Sequence, residues 1–496
     1  MPLLAPVLLP RAHAPALASQ PSAAQQPKSL SAGRALSALG ALIAVGFLGI
    51  SQAGCRRYVA LPLDAKAKAS AMASPDLARV EIEAKELRHP ILKPMRVDFS
   101  DGLSAEEAAI VAVVANPDLK AIRDQRGLAA AQLFEAGLLP DPVLSVSQDV
   151  PTASSGQGLV TARNTQIGLD LTAILTRGLR RRAARSQQRA VDLEVAWAEW
   201  QVAEAAKLSV HRIRSLETLA TLADEAANLL ADNLQAVEKS AVAGDAPIGD
   251  VAAARAAFDA GQRNALSLRQ VRDHERQSLN ALLGLAPDTQ VSLEHLHEAR
   301  TRSRIPSEKD LVADLDRRLD LVALQHGYES QDVRLRLAVW SQFPNIGLSL
   351  GRASDTSGIV THGYGVGISL PLFNRGRGAV AVEEATRQQL HDQYQARLFH
   401  GRQDLAQILS DLKAVARLIA TAEAALPSLA AHAEASGEAF RKGSLDLVSR
   451  NQAHLMLLYQ EGSMAGLQLS LDELGVALEI AAGRILPCDL TAGEKP

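Results

Sequence analysis

Four short stretches of the chain alternate apolar with polar residues at a period of two. Leu144 and Val146 stand against Ser145 and Ser147, and Ile167, Leu169 and Leu171 against Gln166, Gly168 and Asp170. Further along, Ile346, Leu348 and Leu350 face away from Gly347 and Ser349. Tyr364, Val366, Ile368 and Leu370 likewise face away from Gly363, Gly365, Gly367 and Ser369. This period predicts two strand pairs, 142–172 and 344–371, each with an apolar face and a face of polar or tiny residues. The segments between the strands, Asp149 to Thr161 and Gly351 to His362, are rich in Ser, Gly and Thr and read as loops.

Elsewhere the pattern is helical. Helices are predicted from Ser104 to Ala136 and from Ser307 to Trp340, each leading into a strand pair. Long rods are expected after the strand pairs, from about Gly178 to Ala241 and from Ala379 to Gly437. At 1.5 Å per residue each rod spans roughly 90 Å. Helices of that length imply coiled or bundled packing, and their Ala-rich faces allow close approach. A shorter return helix completes each unit.

The two halves repeat one another. Pro140-Asp141 … Leu144-Ser145-Val146 recurs as Pro344-Asn345 … Leu348-Ser349-Leu350. In the same order, Asp118-Leu119 recurs as Asp320-Leu321, Gly168-Leu169 as Gly367-Ile368, Arg177-Gly178 as Arg375-Gly376, and Gly244 as Gly443. Collinear matches of this kind mark an internal duplication. The fold expected is mainly α with a small β part: a duplicated unit of long coiled helices and two β-hairpins. Repeat 1 covers 104–300, with its tip turn at 243–250, and repeat 2 covers 301–486, with its tip turn at 441–447. An extended segment, 55–103, precedes them and a tail, 487–496, follows. Two hairpins lying on a helical core would satisfy the alternation. So would a membrane barrel with its apolar face toward lipid; four strands cannot close one, but three copies supply twelve.

Composition narrows the class. Lys and Arg number 52 against 55 Asp and Glu, a net charge of −3, which argues against a nucleic-acid partner. Aromatics are 3% of the chain, so Leu and Ala must do the packing, as suits long helices. Two cysteines cannot form a disulfide framework or a four-cysteine zinc site. Outside the leader no uninterrupted apolar run of ~18 residues occurs, so no transmembrane helix is expected. The leader, 1–54, reads as a signal peptide with an atypically long start: its apolar run Ala38 to Ile50 follows Lys28 and Arg34. Gln52-Ala53-Gly54-Cys55 then resembles a lipobox with Cys55 as the acylated residue, though ordinary cleavage after Ala53 also fits.

The tip turns carry the most specific pattern. Repeat 1 has Gly244-Asp245-Ala246-Pro247-Ile248-Gly249-Asp250-Val251, and repeat 2 has Phe440-Arg441-Lys442-Gly443-Ser444-Leu445-Asp446-Leu447. In each, Gly stops a helix and Asp opens the next, where a carboxylate is expected to cap free N–H groups. These turns closely resemble those of the TolC-type outer-membrane efflux proteins, the outer-membrane factors of tripartite pumps. Asn116-Pro117-Asp118-Leu119, Pro140-Asp141-Pro142 and Leu370-Pro371-Leu372-Phe373-Asn374-Arg375-Gly376 add to the likeness, as does the start Cys55-Arg56-Arg57-Tyr58 of lipoprotein members.

The resemblance implies a homotrimer: a twelve-stranded barrel in the outer membrane, in contact with its lipid, on an α-helical tunnel through the periplasm. It implies partners as well, a periplasmic adaptor (membrane fusion) protein and an inner-membrane transporter, with the resistance-nodulation-division type one candidate. It implies neither catalysis nor a cofactor. Asp446 matches a carboxylate that narrows the periplasmic mouth, where three copies would form a ring favouring cations. Asp250 matches a residue of the polar links between tip helices. The sequence departs from the family pattern at Phe440, which stands in place of a hydrogen-bonding Tyr. The second turn is about two residues short, and Ser449 stands where a second Asp is usual.

Other features are plainer. Gly363-x-Gly365-x-Gly367 matches no dinucleotide fingerprint, and His295-x-His297 lacks partners at metal-ligand spacing. Cys488 reads as a free thiol. Arg177, Arg180, Arg181, Arg182 and Arg185, with Arg375 and Arg377, read either as solvated helix starts or as a belt at headgroup level binding anionic groups. The strand-to-helix junctions are expected at Arg177, Gly178, Pro371, Asn374, Arg375 and Gly376. Within the channel class a type I secretion duct is the alternative, and outside it a periplasmic coiled-coil adaptor without a pore. Metal-ion and organic cargo are not distinguished, although only five Met are present and no Met- or His-rich tract occurs. Aromatics bracket the second hairpin (Trp340, Phe343, Tyr364, Phe373), whereas none lies between Leu138 and Leu179.

Overall fold

Ser104 opens the first repeat. Its hydroxyl accepts the Glu107 N–H (3.1 Å) while the Glu107 carboxylate accepts the Ser104 N–H (2.9 Å), a reciprocal cap that starts a helix. Ser307 and Asp310 do the same work in the second repeat: the Ser307 hydroxyl accepts the Asp310 N–H (3.3 Å) and donates to its carboxylate (2.7 Å).

The structure, a computed structural model, describes residues 57–152, 158–294 and 306–486. The expected signal peptide, Cys55, His295, His297, Cys488 and the 487–496 tail lie outside the described residues. The chain divides into two units, Met1–Ala71 and Met72–Pro496. The first is extended from residue 57 and enters the short helix α1 (Ala65–Met72). All further elements belong to the second unit: α2 (Leu77–Lys85), α3 (Ala105–Ala115), α4 (Pro117–Ala136), β1 (Val143–Asp149), β2 (Ala162–Asp170), α5 (Leu171–Ala243) and α6 (Ile248–Leu282). Repeat 2 follows as α7 (Glu308–Asp314), α8 (Leu319–Trp340), β3 (Asn345–Ser354), β4 (Val360–Ser369), α9 (Arg377–Arg441) and α10 (Leu447–Ala482).

The single helices expected from Ser104 and Ser307 are each broken. Pro117 has no N–H and forces Asn116 to extended backbone, so α3 ends there. The Asn116 carboxamide then caps α4 through the N–H groups of Asp118 (2.9 Å) and Leu119 (3.0 Å) and donates to the Leu282 carbonyl (3.0 Å). In repeat 2 a 3₁₀ turn, Leu315–Arg317, precedes an extended Arg318. Arg318 donates to both oxygens of Asp320 (2.8 and 3.0 Å) and to the Ala481 carbonyl (3.2 Å). Each break is thus tied to the end of its own return helix. Left-handed glycines, Gly284 (φ +67°) and Gly483 (φ +68°), close those ends against the same breaks.

The duplication extends to the core. Ala206, Val210, Ile213 and Leu279 are buried in one cluster with Trp200 and Val113. Their equivalents 199 residues on, Leu405, Leu409, Leu412 and Leu478, are buried in a second cluster with Leu311 and Leu321. The four strands form one antiparallel sheet in the order β1-β2-β3-β4, so the two hairpins are joined through β2 and β3. The second interstrand loop is shorter than its composition suggests, because β3 and β4 pair out to Ser354 and Val360.

The rods are longer than expected: at 1.5 Å per residue α5 spans about 110 Å and α9 about 98 Å. The second is also less regular, since Gly401 and Pro427 both lie inside it. Gly401 lies in a close approach, where a Cβ would sit 3.2 Å from the Arg318 guanidinium. By length and mean hydropathy one stretch of α9 is apolar enough to cross a membrane, and little of that stretch is buried within the chain.

Helix α5 packs on α3, α4, α6, α8 and α10. Against α6 it makes ion pairs at heptad spacing: Glu217 with Arg276, Asp224 with Arg269 (2.7 Å) and Glu238 with Arg255 (3.6 Å). Against α10 it forms a polar seam between the repeats. Asn233 accepts from Asn451 (2.7 Å), Glu225 meets His454 (3.0 Å), Arg212 meets Glu473 (2.8 Å) and Lys207 meets Glu479 (2.5 Å). Glu204 is buried beside this last pair, one of its carboxyl oxygens without a hydrogen-bond partner. Desolvation, offset in part by Lys207 and reinforced by Glu479, pushes its pKa up to about 8. Desolvation opposes the Lys207 charge, but Glu204 and Glu479 outweigh it and hold the ammonium charged.

Two stability predictions follow from these contacts. A Cβ at Gly284 would sit 2.5 Å from the Ala115 carbonyl oxygen at positive φ, so Gly284→Ala should destabilise by about 1–3 kcal/mol. Gly127→Ala, inside α4 with open space around it, should instead stabilise by about 0.5–1 kcal/mol. Thermal unfolding of the purified protein compares the two; equal melting temperatures would remove the Gly284 constraint. For Glu204 the folded pKa lies above the ordinary value of 4.5, so its contribution is fully present below that value. It is lost as pH rises toward about 8. The melting temperature should therefore fall over that window, and Glu204→Gln should flatten the fall.

Candidate functional site

Cross-strand register sorts the sheet into two faces. One carries the rows Ile346–Ile368, Leu169–Leu348–Val366 and Leu144–Ile167–Leu350–Tyr364. The other carries Asp170–Gly347–Gly367, Val143–Gly168–Ser349–Gly365 and Ser145–Gln166–Gly351–Gly363. The apolar face is bare: Leu144, Leu350, Val366 and Tyr364 are all exposed, Tyr364 at 83%. On the other face Gly365 lies close to its neighbour: a Cβ there would sit 2.8 Å from the Ser349 hydroxyl oxygen, which would have to turn away. Gly363, Gly365 and Gly367 thus line a sheet face.

The strand-to-helix junctions differ between the repeats. In repeat 1, β2 passes directly into α5, because the Asp170 carboxylate accepts the Ala173 N–H (2.8 Å) and caps the helix at once. Residues 171 and 172 are therefore helical, and Arg177 and Gly178 lie inside α5 rather than at its start. The Arg177 guanidinium donates to the Gly137 carbonyl (2.6 Å), holding α5 against the end of α4. In repeat 2, Pro371 follows the last strand, and Arg375 (φ +50°) and Gly376 (φ +66°) turn the chain through left-handed backbone before α9. Gly376 packs so closely that a Cβ would meet the Ser341 hydroxyl at 2.7 Å. Asn374 accepts the Arg377 N–H through its carbonyl (3.1 Å). A cleft of about 340 Å3 lies here, lined by Thr172, Thr176, Trp340, Phe343, Leu370 and Pro371. Trp340 and Phe343 rings meet in it at 5.7 Å.

The tip turns lie at the far ends of the rods. Gly244 (φ +86°) and Gly443 (φ +73°) end α5 and α9 in the left-handed conformation that only Gly takes freely. The two carboxylates are placed differently. Asp446 is the N-cap of α10, accepting the Ser449 N–H (2.9 Å) and hydroxyl (2.7 Å). Those two hydrogen bonds hold its carboxyl below the usual range, so it is ionised and exposed. Asp250 does not cap: the N-cap of α6 is Pro247, and Asp250 sits exposed in the first turn, where its charge still complements the helix dipole. By register Pro247 is the counterpart of Asp446, and Asp250 of Ser449. Phe440 lies in the last turn of α9 at 39% exposed.

Behind the tips lies a contact that sequence reading passed over. Asn451 is fully buried and donates to Asn233 and to the Leu229 carbonyl (3.3 Å), beside the cluster of Ala226, Leu229, Leu455 and Leu458. The signal available was Asn451 at an otherwise apolar helix position; its partner across the repeat seam left no local trace.

Residues 312–484 match the family model described as outer membrane efflux protein. No curated protein sequence matches the chain. Among solved structures it is similar to the outer membrane protein VceC of Vibrio cholerae, with a TM-score of 0.62 at 17% identity, covering 77% of this chain and 96% of that one. It is similar to the CmeC outer membrane channel of Campylobacter jejuni, with a TM-score of 0.66 at 16% identity, covering 83% and 93%. The open state of the MtrE outer membrane channel of Neisseria gonorrhoeae gives 0.54 at 18% identity, covering 81% and 98%. The second repeat thus matches the outer membrane efflux protein model in sequence, and most of the chain's length shares the fold of the outer membrane proteins VceC, CmeC and MtrE.

Proposed function

We propose that three copies of the chain assemble into the exit duct of a tripartite efflux pump. The observation that carries this reading is the unequal burial of two equivalent helices. Nineteen residues of α5 are buried, against six of α9. Within the chain α5 takes α8 and α10 of the other repeat as neighbours; α9 has no matching neighbours from repeat 1. Repeat symmetry supplies them as α4 and α6 of an adjacent copy, which would cover Val382, Phe399 and Leu418, exposed at 64%, 59% and 55%. The sheet repeats the argument. β1 and β4 each have one unpaired edge, a liability that pairing β4 with β1 of the next copy removes.

Closure in threes gives a twelve-stranded barrel with apolar rows toward lipid and glycine-rich rows toward water. The long helices beneath would form the periplasmic tunnel. The duct would carry small molecules or metal ions outward, docked by a periplasmic adaptor and served by an inner-membrane transporter that supplies the energy. Cys55 would hold an acyl anchor. At the tunnel mouth three Asp446 carboxylates, ionised and exposed, would favour cations. Phe440 leaves any latch there to Asp250 and the seam behind it.

Two measurements bear on this. Purified protein should have three times the chain mass and conduct in a planar bilayer; a monomer without conductance defeats the proposal. Asp446→Asn should leave the fold intact, because Asn caps a helix as well as Asp does. The reversal potential of the variant in a salt gradient should move toward zero. An unchanged potential would place Asp446 away from the mouth.

A further inference from the structure

The apolar face of the sheet changes character at its loop end, and the change is one-signed. Above the row Leu144–Ile167–Leu350–Tyr364 comes the row Val146–Thr165–Arg352–His362, and then Gln148–Arg163–Ser354–Val360. Arg352 and His362 are directly opposed, and Arg163 is the diagonal neighbour of Arg352 across β2 and β3. Diagonal positions are ~7–8 Å apart at Cα, within reach of long side chains. All three side chains are exposed, and neither arginine makes an ion pair among the described residues. The nearby carboxylates are turned to other work. Asp149 shares the opposite face with Ser145 and Ser147. Asp355 accepts the N–H groups of Ser357 and Ile359 (2.9 Å each) within its turn. The loop between β1 and β2 adds no acid after Asp149.

We infer that Arg163 and Arg352, with His362 beside them, bind the phosphate groups of a phosphorylated lipid packed against the sheet. A guanidinium pair on an apolar wall suits a ligand with an acyl body and an anionic head: the chains cover Leu144, Ile167, Leu350 and Val366, and the two forks grip phosphate oxygens. Tyr364, two residues along β4 from His362 on the same face, sits where an aromatic at the boundary of the apolar band belongs. A soluble anion would not need the apolar rows below, and a protein partner would not need the site to be free of acids. The inference rests on the barrel reading above, which sets this face toward lipid.

The test uses the full-length protein purified in detergent, with native mass spectrometry as the readout. The probes are diphosphoryl lipid A, the same lipid stripped of both phosphates, and inorganic phosphate. Wild type should retain the diphosphoryl lipid in preference to the stripped one. The double variant Arg163→Gln, Arg352→Gln should lose about ten- to thirtyfold of that retention. It should bind the stripped lipid as wild type does, and the double variant to Lys should recover part of the loss. Equal retention by wild type and the Gln variant overturns the inference, as does displacement of the lipid by millimolar inorganic phosphate, which would mark a free-anion site. Conductance is recorded on the same samples. If the Gln variant conducts and retains lipid like wild type, the lipid site alone falls; if wild type does not conduct, the barrel reading falls with it.

Discussion

Everything in the second unit leans on α5. It is capped at one end by Asp170 and stopped at the other by a left-handed Gly244, and it has no proline along its 73 residues. Five helices pack against it, so its faces must satisfy both repeats at once. Toward its own return helix it offers carboxylates at heptad spacing to arginines on α6. Toward the other repeat it offers Lys207, Arg212, Glu225 and Asn233 to α10. Polar partners recur along the seam, and the buried apolar positions of α5 between them mix Ala220, Ala223 and Ala226 with Val210, Ile213 and Leu229. The alanines bring the helices close but remove little area from water per residue, so specific hydrogen bonds help set the register.

The duplication is strict where the chain turns back on itself and loose where it meets the sheet. Leu279 and Leu478, Gly284 and Gly483, and Gly244 and Gly443 occupy matching places because helix ends admit few solutions. Asn116 and Arg318 reach the same end, a tie from a helix break to a return helix, by different chemistry. At the sheet, one repeat goes from strand to helix through a single aspartate cap and the other through Pro371, Arg375 and Gly376.

Much of this was legible in the residues. Alternation at Leu144 to Val146 and Tyr364 to Leu370 gives the strands and their faces, and Gly244 and Gly443 give the tips. The break at Asn116-Pro117 was also readable, since Pro lacks an N–H, yet the apolar periodicity running across it hid it. The break at Arg318 was not readable. Arginine is no helix cap, and this one is held by Asp320, Ala481 and the room that Gly401 and Gly483 leave. The joining of β2 to β3 was hidden for a related reason, because its partners are far apart in sequence and no turn connects them. Asp250 misled because an acidic residue near a helix start looks like a cap, whereas the proline three residues earlier takes that place. The aromatic asymmetry between the hairpins persists in the sheet, with Trp340 and Phe343 ahead of β3 and Tyr364 on β4.

Pro427 has a mechanical consequence. It removes one hydrogen bond from α9 and crowds the Glu423 carbonyl, which makes a compliant point about four turns short of the tip. The equivalent stretch of α5 has no such point. A load applied equally to both tips is therefore taken up unequally: the repeat 2 tip bends about a local pivot, while the repeat 1 tip passes its displacement into the whole shaft. Stiffness thus joins tip charge and junction geometry among the features that distinguish the two halves of the duplicated chain.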